Sequence, residues 1–150
     1  MLGPGGGQHG LNEVRARLHG AGLRVTRQRE VVYSALIASH LHPTAEELLR
    51  LVREQDGEVS LATIYNTLEA LSAAGLTRRI PDSSGSGPCR YDADLSPHAH
   101  VTTPDGQTID LPPDLSKRVL AHLPRELVAE VEARTGRVVD RVQVQFVTRA

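Results

Sequence analysis

Two histidines and two aspartates stand close together in this sequence, Asp92, His98, His100 and Asp110, downstream of an isolated His42. His98 and His100 are two apart, so on an extended strand both imidazoles leave the same face, roughly 6–7 Å apart along the chain. Asp92 and Asp110 flank them with hard oxygen donors. Imidazole combined with carboxylate suits divalent iron, manganese or zinc. The sole cysteine, Cys89, excludes an all-thiolate site. The pattern therefore predicts a divalent metal site. His9, His19, His40 and His122 lack such company and are expected to be ordinary packed or solvated side chains.

The elements that must position these residues follow from apolar spacing and caps. Residues 1–10 are Gly-rich and are expected to form a disordered arm. Leu11, Val14 and Leu18 recur at helical spacing until Gly20 and Gly22. Thr26 caps a second helix with Val31, Val32, Ala35, Leu36 and Ile37 as its apolar stripe, broken at His42-Pro43. Thr44 and Glu47 form a capping box for a third helix that buries Leu48, Leu49 and Val52, with Gly57 ending the region. Ser60 caps a fourth carrying Ile64, Leu68 and Leu71, closed by Gly75 in a left-handed turn.

Thr77 to Ile80 and Cys89 to Tyr91 predict two short strands around an irregular loop over 81–88. Helices followed by such a hairpin describe a winged helix-turn-helix. Further on, His100 to Thr103 and Gln107 to Leu111 predict strands. Pro112-Pro113 opens a helical segment broken near Pro124 and closed by Gly136, with Leu115, Val119, Leu120, Leu127 and Val131 apolar. Val138, Val142, Val144 and Phe146 alternate as a last strand. The predicted fold class is α+β: a winged-helix DNA-binding domain at 11–92 and a small α/β metal-sensing and dimerisation domain at 93–150, with Asp92 at the hinge.

A chain of 150 residues can bury a core as one domain or two small ones. Aromatics at 3% and the absence of Trp leave that core to Ala, Leu and Val. A formal net charge of −1 excludes a generic polyanion binder, although Arg15, Arg17, Arg24, Arg27 and Arg29 make one basic stretch. A single cysteine excludes an internal disulfide and fits a reducing compartment. The start of the sequence lacks the features of a signal peptide, and no run approaches the ~20 apolar residues of a membrane span. The expectation is a soluble cytoplasmic protein with no membrane partner.

Three blocks carry a resemblance. Gly22-Leu23-Arg24-Val25-Thr26-Arg27-Gln28-Arg29, then His42-Pro43-Thr44-Ala45-Glu46-Glu47, then Leu61-Ala62-Thr63-Ile64-Tyr65-Asn66-Thr67-Leu68 resemble the ferric uptake regulator (Fur) family in order and spacing. The resemblance continues through Arg90-Tyr91-Asp92 and His98-Ala99-His100. It implies a metal-dependent transcriptional repressor, a homodimer that binds a double-stranded, A/T-rich, pseudo-palindromic operator, and no enzymatic activity. A recognition helix needs short polar side chains near its N-terminus, and Ser60, Thr63, Tyr65, Asn66 and Thr67 supply them. In the family the tyrosine matching Tyr65 touches bases. Arg24 matches a basic residue suited to a narrow minor groove, and Arg27 is a further candidate DNA contact.

The resemblance also implies one regulatory metal per subunit, held by His42, Asp92, His98, His100 and Asp110. Ligands from both domains make the metal a clamp across the hinge, hence a corepressor. Mn²⁺ or Fe²⁺ fits the donors, with Zn²⁺ able to compete by the Irving–Williams order. Asp at the last ligand and Asn66 resemble the peroxide-sensing branch. A zinc-responsive uptake regulator, or a winged-helix DNA-binder whose metal is purely structural, are the alternative readings. The two Cys-x-x-Cys pairs that hold a structural zinc in many relatives are missing, so no four-cysteine zinc is expected.

Overall fold

The computed structural model describes residues 6–39 and 41–150. Residues 1–5 of the expected arm, and His40, lie outside the described residues. The chain divides into two compact units, Met1–Leu95 and Ser96–Ala150.

The first unit is a winged helix. Helix α1 (Gly6–Gly20) starts a turn before the stretch that apolar spacing marks. Val14 and Leu18 pack on Tyr33 and Leu71, and once such a packed turn exists, further residues extend a helix instead of nucleating one. Residues 6–10 of the expected arm are accordingly helical. Helix α2 (Arg27–Ala38) is capped by Thr26, whose Oγ1 accepts from the Arg29 amide at 3.3 Å. Helix α3 (Ala45–Arg53) carries the Thr44/Glu47 capping box, closed by bonds of 3.0 and 3.2 Å. It stops at Arg53, ahead of Gly57.

Helix α4 (Leu61–Ala73) is capped by Ser60, which accepts from the Thr63 amide at 3.2 Å. Gly75 ends it with φ +74°, the left-handed conformation that glycine adopts without a Cβ penalty. Val32, Leu36, Leu48, Val52, Ile64 and Leu68 form one buried cluster, so α2, α3 and α4 share a core. Strands β1 (Arg78–Ile80) and β2 (Arg90–Asp92) pair antiparallel with Arg79 opposite Tyr91. The second strand is shifted by one residue from the expected span, which leaves Cys89 outside the ladder and brings Asp92 into it, opposite Arg78.

The second unit is a three-stranded sheet with two helices. Strand β3 (His100–Thr102) lies between β4 (Thr108–Asp110), antiparallel to it, and β5 (Gln145–Val147), parallel to it. Helices α5 (Pro113–Ala121) and α6 (Arg125–Thr135) make the crossover a parallel pair requires. Proline opens α5 where no amide is needed. The last strand is shorter than its alternation predicts. Its first backbone bond is the one from the His100 amide to the Val144 carbonyl, 3.0 Å. Val138, 90% exposed, has no facing surface that would reward strand geometry. Among the described residues of this unit Ala99 is the one buried apolar residue. No helix among the described residues is long and apolar enough to cross a membrane.

Candidate metal centre and nucleic-acid face

In the first unit, His42 and Asp92 are brought together by the wing. The Tyr91 amide donates to the Pro43 carbonyl at 3.0 Å, which lays the His42-Pro43 segment along β2. The His42 Nδ1 then lies 3.4 Å from Asp92 Oδ1, and both side chains are buried. Asp92 Oδ1 also accepts from the Asp94 amide at 2.8 Å. His42 has φ +44°, a conformation that costs a non-glycine residue energy.

In the second unit, the ladder places His100 directly opposite Asp110. Asp110 Oδ1 is 3.0 Å from His98 Nε2 and 3.4 Å from His100 Nε2. The two rings meet edge to face, with centroids 4.5 Å apart. His98 Nδ1 lies 2.7 Å from the Ser96 carbonyl, a partner that keeps the proton on Nδ1 and leaves the Nε2 lone pair for a ligand. Between the histidines, Ala99 is fully buried; its amide donates to Ser116 Oγ at 3.1 Å and its carbonyl accepts from the Leu111 amide at 2.9 Å. Pinning Ala99 on one side turns both imidazoles to the other. One donor atom from each of His98, His100 and Asp110 lies within 4.8 Å of the others.

Each cluster fits a divalent cation on the chemistry of its donors. Imidazole and carboxylate together suit Mn²⁺, Fe²⁺ and Zn²⁺. Burying a carboxylate such as Asp92 is expensive unless positive charge accompanies it.

Polar residues of α4 and of the chain entering α2 shape a second feature. A groove of about 390 Å³ is lined by Arg24, Thr26, Gln28, Arg29, Thr63, Asn66 and Thr67. Asn66 and Arg24 are exposed, Thr63 is half-buried, and Thr67 is buried, so Thr67 serves as the groove's floor. Ser60 is committed to capping α4, its Oγ also 3.0 Å from Thr63 Oγ1. Arg27 is exposed and pairs with Asp56 at 3.2 Å. Tyr65, 42% exposed, donates its hydroxyl to Glu46 Oε1 at 3.0 Å, and that bond raises the phenol's pKa above its ordinary value.

Several participants escaped the sequence reading. Arg90 donates to the His42 carbonyl, Glu46 accepts from Tyr65, Arg29 donates to the Arg24 carbonyl and Ser116 accepts from the Ala99 amide, while Gln28 lines the groove. Gln28, Arg29, Glu46 and Arg90 lie inside the blocks that carry the family resemblance, whereas Ser116 lies in none of them.

The model of the Ferric uptake regulator family matches residues 20–134, most of the chain. The chain belongs to this family. Among its relatives, the peroxide-responsive repressor PerR of Staphylococcus aureus (strain Mu50) is 35% identical over 94 residues. That match takes in 63% of this chain and 62% of the relative, so the chain spans less than two thirds of that relative's length. The ferric uptake regulator from Pseudomonas aeruginosa with manganese superposes with a TM-score of 0.66 at 28% identity, covering 91% of this chain and 97% of that one. A zinc-bound manganese uptake regulator gives 0.63 at 26% identity, with 91% and 98% covered. With its single cysteine, this member of the Fur family cannot assemble a four-thiolate zinc site within one chain.

Proposed function

We propose that this chain is a metal-dependent transcriptional repressor that binds DNA as a homodimer, with Mn²⁺ or Fe²⁺ as corepressor, and controls metal homeostasis or peroxide-stress genes. The observation that carries this reading is a histidine–aspartate cluster on each unit of a Fur-family chain whose first unit is a winged helix. His42 and Asp92 are the ligands contributed by the DNA-binding unit, and His98, His100 and Asp110 those contributed by the other. A cation held by these residues would supply the positive charge that their carboxylates and imidazoles call for, and would favour the conformation that binds it through its differential binding energy.

The chain's own residues do the rest. Thr63, Tyr65 and Asn66 present hydroxyls and an amide to base edges and phosphates, while Arg24 and Arg27 bring positive charge to the backbone. Two recognition helices in a dimer must meet half-sites about one helical turn apart, which implies a pseudo-palindromic operator. The names of the relatives, a peroxide-responsive repressor and a manganese uptake regulator, support the choice of metal and gene class.

The test is selection of duplexes from random DNA with Mn²⁺-loaded protein, followed by titration of Mn²⁺, Fe²⁺ and Zn²⁺ into apo-protein with the selected duplex. An A/T-rich inverted repeat bound at least tenfold more tightly with metal is expected. Equal affinity with and without metal overturns the reading.

A further inference from the structure

His42 is the one non-glycine residue with positive φ among the described residues, and it precedes a proline, which itself disfavours helical backbone. Such an outlier persists only where its surroundings over-determine it. The surroundings are unusually complete. The His42 carbonyl accepts from Arg90 Nη1 at 3.1 Å, the Pro43 carbonyl from the Tyr91 amide at 3.0 Å, and the Thr44 amide donates to Glu47 Oε2 at 3.0 Å. Arg90 also grips Glu47 with both ends of its fork, Nη1 to Oε2 at 2.8 Å and Nη2 to Oε1 at 3.4 Å. The Glu47 carboxylate thus ties the first turn of α3 to β2, and Arg90 closes the circuit on the backbone of His42.

We propose that Arg90 is a positioning residue for the metal ligand His42: its guanidinium locks the left-handed backbone that aims this imidazole toward Asp92. The inference rests on the reading of His42 as a ligand. Only a planar fork can hold a carbonyl and both carboxylate oxygens at once; a lysine ammonium reaches one partner well and the other poorly. Arg90 also neighbours Tyr91 and Asp92 on the same strand, so one segment supplies an acidic ligand and fixes the imidazole opposite it.

Cobalt(II) binding to the full chain tests this, because its visible absorption reports the number and kind of ligands independently of DNA binding. Arg90→Gln is expected to weaken Co²⁺ about tenfold, the usual scale for removing a ligand's support, and to shift the spectrum toward that of His42→Ala. In the His42→Ala background the same change should alter affinity less than twofold, and Arg90→Lys should fall between wild type and Arg90→Gln. If Arg90→Gln does not fold, Arg90→Lys decides by the same spectrum. A lowered melting temperature with a wild-type spectrum and affinity overturns the inference while leaving His42 a ligand. A wild-type spectrum in His42→Ala removes the ligand reading, and the inference with it.

Discussion

His100 and Asp110 are direct partners across the antiparallel β3–β4 ladder, and this register delivers the Asp110 carboxylate to both imidazoles. The turn that sets it is tight: the Thr103 amide donates to the Gln107 carbonyl and the Gly106 amide to the Thr103 carbonyl, each at 2.9 Å. A slip of one residue would move every β4 side chain to the opposite face. Asp110→Asn, and separately a single glycine inserted after Gly106, should each weaken Mn²⁺ binding at least tenfold by calorimetry. Wild-type affinity in both variants would remove Asp110 from the ligand set.

Ser116 is the support beneath the histidine pair. Its buried hydroxyl accepts from the Ala99 amide at 3.1 Å and donates to the Leu111 carbonyl at 3.3 Å. Ser116→Ala leaves a buried amide without that acceptor, at a cost of about 1–3 kcal/mol. Urea unfolding should report this loss, together with a severalfold weaker Mn²⁺ affinity as the His98-Ala99-His100 segment loosens.

Glu46 holds the hydroxyl of Tyr65 on the exposed side of α4. The bond to Glu46, more than burial, raises the phenol's pKa. The contribution of this pair is therefore present below the ordinary tyrosine range and lost only as pH rises through the elevated value. DNA affinity carried by the pair should be flat from neutral to mildly alkaline pH. Tyr65→Phe and Glu46→Gln should be non-additive for binding the selected duplex, with a coupling of about 0.5–3 kcal/mol in a double-mutant cycle followed by fluorescence anisotropy. Strict additivity would mean that Glu46 does not orient the ring.

What could be read from the sequence was local. Thr26, Thr44 with Glu47, Ser60 and Gly75 act within one turn of themselves, so spacing alone located four helix ends. The His98/His100 alternation likewise needed nothing beyond the pleat. Arg90 and Glu47, 43 residues apart, meet only because the wing folds beside α3, and Ser116 meets Ala99, 17 residues away, only once α5 packs back on the segment that enters β3. Strand β5 shows the opposite failure. Val138 and Val142 alternate as a strand should, but alternation forms a strand only where a partner and a covered face exist, and β3 reaches no further than Val144.

The second unit has too little interior to explain its apolar content. Ala99 is its one buried apolar residue among those described, helix α6 buries none, and Leu127, Val131, Phe146 and Val147 are 50%, 44%, 44% and 61% exposed. A unit this small cannot be stabilised by such a core alone, and its exposed apolar side chains on α6 and β5 are available for a protein partner to cover. A second copy of the chain is the occupant that the proposed repressor requires. Leu127→Glu combined with Val131→Glu should convert a dimer to a monomer in sedimentation equilibrium at micromolar concentration. Affinity for the two-half-site duplex should fall at least tenfold, because one winged helix then binds without the other, whereas Mn²⁺ affinity should stay within about threefold. A variant that remains dimeric would place the subunit contact elsewhere. One that loses metal and dimer together would show that the ligands depend on the assembled interface, a dependence the cobalt spectrum of the monomer would expose directly.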